Sequence, residues 1–131
     1  MISLAYDGTT LELTDRLVWR DEFAWSPVVQ AIGYSTTGKL LVDIGVKQAG
    51  RPITLEGQES AAWITRETCV TLEAWVSLPG IDMVLTLRGQ MRDVKFDQER
   101  GGFEAKPLWR LLDGEETATQ IFIPTLRFIE V

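Results

Sequence analysis

Histidine is missing from this sequence, and cysteine occurs only once. The absence of histidine excludes a Ser-His-Asp triad and removes the commonest general base and the usual metal ligand. With Cys69 alone, neither an internal disulfide nor a cysteine-based zinc cluster can form, which favours a reducing compartment. We expect Cys69 to be a small apolar residue of the core.

Long hydrophobic runs are also absent, although hydrophobic residues make up 45% of the 131 positions. No run approaches the roughly 18 apolar residues that span a bilayer, and the N-terminal MISLAYDGTT lacks the features of a signal peptide. The net charge of −6 is spread along the chain. It disfavours nucleic-acid binding, which needs clustered Lys and Arg. Length and the lack of a linker predict a single β-rich domain over residues 1–131.

Alternating apolar residues and turn signals predict a mainly β chain. ISLAY and TLELT flank Asp7-Gly8, a strong hairpin signal, and Pro52 fits the first residue of a strand. Residues 28–47 read as a second hairpin around the turn STTG. In its return strand, KLLVDIGVKQ, period-two alternation predicts a face directed toward a core, formed by Leu40, Val42, Ile44 and Val46.

A third hairpin is predicted over residues 81–97. IDMVLTLR alternates, and Gly89-Gln90 can form a type II′ turn because glycine accepts a positive φ at the first central position. In the return strand MRDVKFD, we expect Val94 and Phe96 to point toward the core. The same alternation directs outward the charged residues Asp93, Lys95 and Asp97.

Two readings compete for the segment from Ser60 to Leu78. Cys69, Leu72 and Trp75 have helical spacing, whereas alternate residues from Val70 onward have strand spacing. Length and the position of Pro79-Gly80 favour a helix over residues 66–77. GFEAKPLWRLL and IFIPTLRFIEV then supply the last strands. Phe103, Ala105, Pro107 and Trp109 share a face of the first, and a turn lies between the two at Asp113-Gly114-Glu115-Glu116.

The sequence offers little evidence for a metal, phosphate-binding or catalytic site. DQERGG lacks the fixed oxygen ligands and closing glutamate of an EF-hand loop, so we expect no metal there. No phosphate-binding glycine motif occurs. Adjacent acids such as Glu115-Glu116 point to opposite faces of a strand and so form no glycosidase-like pair. The sequence predicts neither catalytic residues nor a cofactor.

Five tryptophans stand out at positions 19, 25, 63, 75 and 109. Most tryptophans pack in cores, but tryptophan is also enriched at interfaces. Trp25, in EFAWSP, is least committed to a regular element and is the best interface candidate. We add to it the return strand of the third hairpin, which gives a candidate subunit interface of Trp25, Arg92, Asp93, Lys95 and Asp97.

The order of several short motifs resembles one class of protein. LVWRDEFAW, GRPITLEG, AAWITRET, MVLTLRGQMRDVKF, GGFEAKPLW and a terminal TLRFIEV are similar to segments of small tail-tip or baseplate proteins, of the distal-tail type, from long-tailed, siphovirus-like phages and prophages. The resemblance covers Leu17 to Val131. It rests on the order of these motifs along the chain.

The resemblance implies a structural virion protein without catalytic residues. Its expected fold is α+β, mainly β with one helix, in an antiparallel β-sandwich or barrel like that of tail-tube proteins. The expected partners are copies of itself in a hexameric or trimeric ring, and the tube, hub and tape-measure proteins of the tail. DNA would pass through the ring without specific binding, and no membrane insertion is expected. The protein would reside in the virion tail and, during assembly, in the host cytoplasm.

Two other classes of function remain open from the sequence. One is a cytoplasmic β-rich adaptor, assembly chaperone or ligand-binding module. The other is an enzyme with an unusual carboxylate site, although no constellation of residues singles one out.

Overall fold

The computed structural model describes residues 2–109, 114, 117 and 120–131. Each of its strands pairs antiparallel with at least one other, in one large and one two-stranded sheet. The strands are β1 (Ile2–Tyr6), β2 (Thr9–Leu13), β3 (Val18–Trp19), β4 (Val28–Tyr34), β5 (Leu40–Val46), β6 (Pro52–Glu56), β7 (Ile64–Thr65), β8 (Met83–Leu87), β9 (Gln90–Phe96), β10 (Phe103–Pro107) and β11 (Ile121–Glu130). Helix α1 spans Arg66–Val76, and a 3₁₀ turn spans Gln98–Arg100. The predicted mainly β fold with one helix is confirmed for the described residues.

Strand β11 is the centre of the larger sheet. Phe128 pairs with Ile53 of β6 and with Phe96 of β9, so these two strands lie on opposite edges of β11. Farther along, Phe122 pairs in the same way with β7 and β10. One strand therefore holds four others in register.

The larger sheet is an open one. Its strand order is β2-β1-β8-β9-β11-β6-β3, with β7 and β10 also paired to β11. Within the described residues of one copy, β2 and β3 stand at the two ends of this path and do not pair with each other. The strands of a single copy thus form no closed barrel there.

The local hairpin signals were largely correct. Asp7-Gly8 connects β1 and β2, with a φ of 49° at Asp7 and 77° at Gly8. The third hairpin also forms, but Leu87 pairs with Gln90, so the turn residues are Arg88-Gly89 and not Gly89-Gln90. Both have positive φ, 52° and 79°, which is the type I′ geometry that matches strand twist.

Helix α1 confirms the helical reading of residues 66–77. The Thr65 hydroxyl caps the first turn by accepting from the Thr68 amide at 3.5 Å. Cys69, Leu72 and Trp75 form its buried face, as three-residue spacing requires. No helix in the described part of the chain is long and apolar enough to cross a membrane.

The core lies between α1 and the sheet. Leu4, Ile53, Leu85 and Phe128 are completely buried, and the Phe128 ring stacks on that of Phe96 at 5.3 Å. Cys69 is buried in the same cluster, which confirms its predicted place. The turn predicted at 113–116 lies, apart from Gly114, outside the described residues, as does the end of the predicted strand at 110–112.

Candidate functional site: an exposed apolar arm

The hairpin of β4 and β5 is a separate two-stranded sheet. All 14 strand residues of this hairpin, here called the arm (residues 28–46), are exposed. It carries nine of the seventeen large hydrophobic side chains that are exposed among the described residues. The strand and hairpin predictions are confirmed, but the predicted core-facing side was wrong. Leu40, Val42, Ile44 and Val46 are between 42% and 65% exposed.

The two faces of the arm differ in chemistry. Directly paired residues of antiparallel strands point to the same face, and the pairing runs from Val28 with Val46 to Tyr34 with Leu40. One face, the bulky face, therefore consists of Val28, Gln30, Ile32, Tyr34, Leu40, Val42, Ile44 and Val46. The other, the small face, consists of Val29, Ala31, Gly33, Leu41, Asp43 and Gly45. The single charge on the strands of the arm is that of Asp43.

Both long edges of the arm carry free backbone groups. The amides of Lys47 and Ser35 donate inward, to the carbonyls of Pro27 at 2.7 Å and Lys39 at 2.8 Å. Because inward and outward groups alternate along a strand, the odd-numbered residues bond across the arm. The even-numbered residues direct their N–H and C=O groups away from it. Such edges are templates for pairing with another strand.

The tip of the arm is held by its own hydrogen bonds. The Ser35 carbonyl accepts from the Gly38 amide at 2.9 Å, and the Ser35 hydroxyl accepts from the Lys39 amide at 3.1 Å. Gly38 has a φ of 85°, which glycine adopts without strain. The arm is thus a formed hairpin with a defined turn.

At its root, where residues 47–51 follow β5, the arm is hydrogen-bonded to β11, the last strand of the larger sheet. The Gly50 amide donates to the Glu130 carbonyl, and the Glu130 amide donates to the Arg51 carbonyl, both at 2.9 Å. Trp25 is half-buried there, with its ring 5.9 Å from the Lys47 ammonium and 6.0 Å from the Arg51 guanidinium. The root therefore fixes where the arm leaves the body.

Beneath the root, three guanidinium groups surround the buried ring of Trp19. Arg51, Arg92 and Arg88 lie 4.8, 5.2 and 5.8 Å from its centroid. These are favourable cation–π distances. Glu22 accepts from Arg88 with both oxygens at 2.6 Å.

The residues predicted as an interface are only partly brought together. Trp25 and Arg92 line the same small pocket at the root, where Arg92 pairs with Glu130 at 3.0 Å. Asp93 is exposed. Lys95 reaches Asp82 at 3.1 Å.

Asp97 departs from its predicted outward position. Its side chain is buried and pairs with Arg100. The chain leaves the strand at this residue and enters the 3₁₀ turn, so alternation no longer sets its direction. DQERGG is thus a packed turn, in which Gly102 lies against Phe96.

The described residues bring together no three His, Cys, Asp or Glu side chains that could hold a metal ion. A cleft of about 420 Å³ beside β10 contains Glu56, Glu59, Glu104 and Lys106. Glu56 is paired with Arg20 at 2.7 Å and Glu104 with Arg127 at 3.2 Å. Two of its three carboxylates are therefore committed to ion pairs.

Comparison of the chain with protein-family models, with curated protein sequences and with solved structures finds no match. The functional argument therefore rests on the chain's own residues.

Proposed function

We propose that this protein is a structural subunit of a phage tail tip or baseplate, which assembles into a ring joining the tail tube to the hub. The observation that carries the proposal is the arm, a formed hairpin whose apolar side chains are exposed on both faces. Contiguous exposed apolar surface of this kind marks an interaction site. The resemblance of the motif order over Leu17 to Val131 to that of tail-tip proteins supports the more specific assignment to a tail tip.

Edge pairing of arms is the proposed mode of assembly. The outward groups of β5 in one copy pair with those of β4 in the next, in a head-to-tail contact that closes if the rotation between copies allows it. The sheet of one copy is open, and the barrel expected of a tail-tube-like fold would be completed by several copies.

The number of strands distinguishes the two expected ring sizes. Each copy contributes the two strands of its arm, so a trimer supplies six and a hexamer twelve. A barrel of about eight strands is already filled by its own side chains. A lumen lined by arms and open to DNA therefore favours the hexamer.

The two faces suggest how the arm is oriented in such a ring. The bulky face would pack against the bodies of the subunits, since it has the larger apolar side chains. The small face would line the lumen, where a ring of Asp43 carboxylates repels DNA phosphates and keeps them from adhering. Assembly, and no catalytic step, is the proposed function.

A matched pair of proline variants tests the edge pairing. The amide of Val42 points outward and that of Asp43 inward, so Val42→Pro removes a donor from the free edge and Asp43→Pro removes one from the arm's own ladder. We expect Val42→Pro to block ring formation while circular dichroism still shows a folded subunit. Native mass spectrometry and negative-stain electron microscopy, with tail partners where the isolated subunit stays monomeric, measure assembly.

A charge on the bulky face provides the second test. Ile44→Asp should abolish assembly, whereas Val70→Asp, at a residue of α1 that is 59% exposed, should leave it intact. Rings of undiminished yield from Ile44→Asp would reject the arm as the interface. Absence of the protein from purified virions would reject the virion role and favour the adaptor or chaperone alternative.

A further inference from the structure

A small pocket lies at the root of the arm. It has a volume of about 170 Å³ and is formed by Trp25, residues 48–51, Arg92, Glu130 and Val131. We call it the root pocket. Its size suits a single functional group or a short side chain.

The arginines around Trp19 outnumber the side-chain carboxylates that pair with them. Of the three guanidiniums around Trp19, Arg88 is paired with Glu22 and Arg92 with Glu130. Arg51 forms no ion pair with any carboxylate of the described residues, and its Nη2 donates only to the Glu22 carbonyl at 2.7 Å. An unpaired guanidinium therefore borders the pocket in a chain whose net charge is −6.

The same cluster also lacks acceptors. Three buried side-chain nitrogen or oxygen atoms have no hydrogen-bond partner in the part of the chain that the structure describes, namely Trp19 Nε1, Arg51 Nε and Arg92 Nε. All three are donors. Buried donors without an acceptor are costly and uncommon, and two of these three belong to arginines that line the root pocket.

We propose that the root pocket binds an oxyanion, a carboxylate or phosphate group, through Arg51; Arg92, which also lines the pocket, already donates to Glu130 and Gln90. A guanidinium fork matches the oxygens of these groups and binds them through charge-assisted hydrogen bonds. A cation would be repelled, and a neutral ligand would leave the charge of Arg51 unmatched. The proposal does not depend on ring formation, since the pocket exists within one copy.

Differential anion binding tests the proposal. Thermal unfolding is followed in phosphate and in malonate at constant ionic strength, with sodium chloride as the reference salt. Phosphate or malonate at about ten times its dissociation constant should raise Tm above the chloride value, since a ligand that binds only the folded state stabilises it. Calorimetric titration then gives the dissociation constant.

Two variants of Arg51 and one control separate binding from general charge effects. Arg51→Gln should weaken anion binding at least tenfold, and Arg51→Lys should weaken it less, because the charge remains but the fork is lost. Arg20→Gln removes a guanidinium that pairs with Glu56 outside the pocket and should bind as wild type does.

The source of the oxyanion is decided by the protein concentration. A Tm shift that is the same in dilute and concentrated protein supports a free small anion. Self-association that Arg51→Gln weakens and phosphate inhibits supports a carboxylate from a second copy. If phosphate and malonate act only as chloride does, and self-association is the same in Arg51→Gln, the proposal is wrong.

Discussion

Truncation of Ile44 tests whether the apolar side chains of the arm stabilise their own subunit or are left exposed for a partner. Full burial of an isoleucine side chain contributes about 1.5–3 kcal/mol. Ile44 is 65% exposed in the subunit, so only about a third of that contribution, roughly 0.5–1 kcal/mol, is realised there. Ile44→Ala should lower the free energy of unfolding of the monomer by no more than this amount.

Leu85 provides the matched comparison. It is a strand residue of similar size that is completely buried. Leu85→Ala removes the same kind of apolar surface and leaves a cavity, which costs about 2–5 kcal/mol. For a chain of this length that loss corresponds to a Tm decrease of roughly 6–20 °C, against a few degrees at most for Ile44→Ala.

Urea unfolding at low protein concentration measures both variants on the monomer. The buried ring of Trp19 gives a fluorescence signal for the body of the fold, and an unchanged m-value verifies that the two variants unfold the same surface. A loss of 2 kcal/mol or more from Ile44→Ala would refute the reasoning. Such a loss would mean that the bulky face is already buried within its own subunit.

Three further predictions concern the body of the fold. Gly57→Ala should destabilise strongly, because a Cβ at this position would lie 2.5 Å from the Ala62 carbonyl oxygen; thermal unfolding measures the change, and a wild-type Tm would contradict it. Asp97→Ala should cost about 1–2 kcal/mol, since it removes a buried carboxylate that accepts from Arg100, whose own guanidinium is about half exposed and becomes solvated; urea unfolding checks this against Asp93→Ala, expected within about 0.5 kcal/mol of wild type. Burial raises the pKa of the Cys69 thiol from 9.0 to about 11, so the folded state holds this proton more tightly than the unfolded state. The resulting stability is complete below pH 9 and is lost as the pH rises toward 11. The difference between wild type and Cys69→Ala isolates this effect from other titrations, and a difference that is constant from pH 8 to 11 would contradict it.

Features set by nearby residues were predictable from the sequence. Asp7-Gly8 specifies its turn locally, and the three-residue spacing of Cys69, Leu72 and Trp75 identified the helix. The predicted turn, Gly89-Gln90, was one residue away from the observed turn at Arg88-Gly89, because glycine fits either central position of a primed turn. Strand register decides between the two, and register depends on the whole sheet.

Features set by distant residues were not predictable. Alternation in KLLVDIGVKQ shows that one face of the strand is apolar, but it does not show whether that face is covered by the same chain or by another. The root pocket joins Trp25, Arg51, Arg92 and Glu130, which are far apart in the chain. Their meeting follows from the pairing of β11 with β6 and β9. An unpaired arginine is visible only once its neighbours are known.

The central position of β11 has a consequence for folding during translation. Strands β6, β7, β9 and β10 all leave the ribosome before the strand that joins them, so most of the sheet waits for residues 121–130. The arm needs only contacts within residues 27–47 and can form much earlier, because local pairing is fast and long-range pairing is slow. A nascent chain therefore exposes the apolar arm before the larger sheet has formed. Slow elongation between the arm and β11 would lengthen this exposure. It would favour aggregation, because incompletely folded chains with exposed apolar surface aggregate.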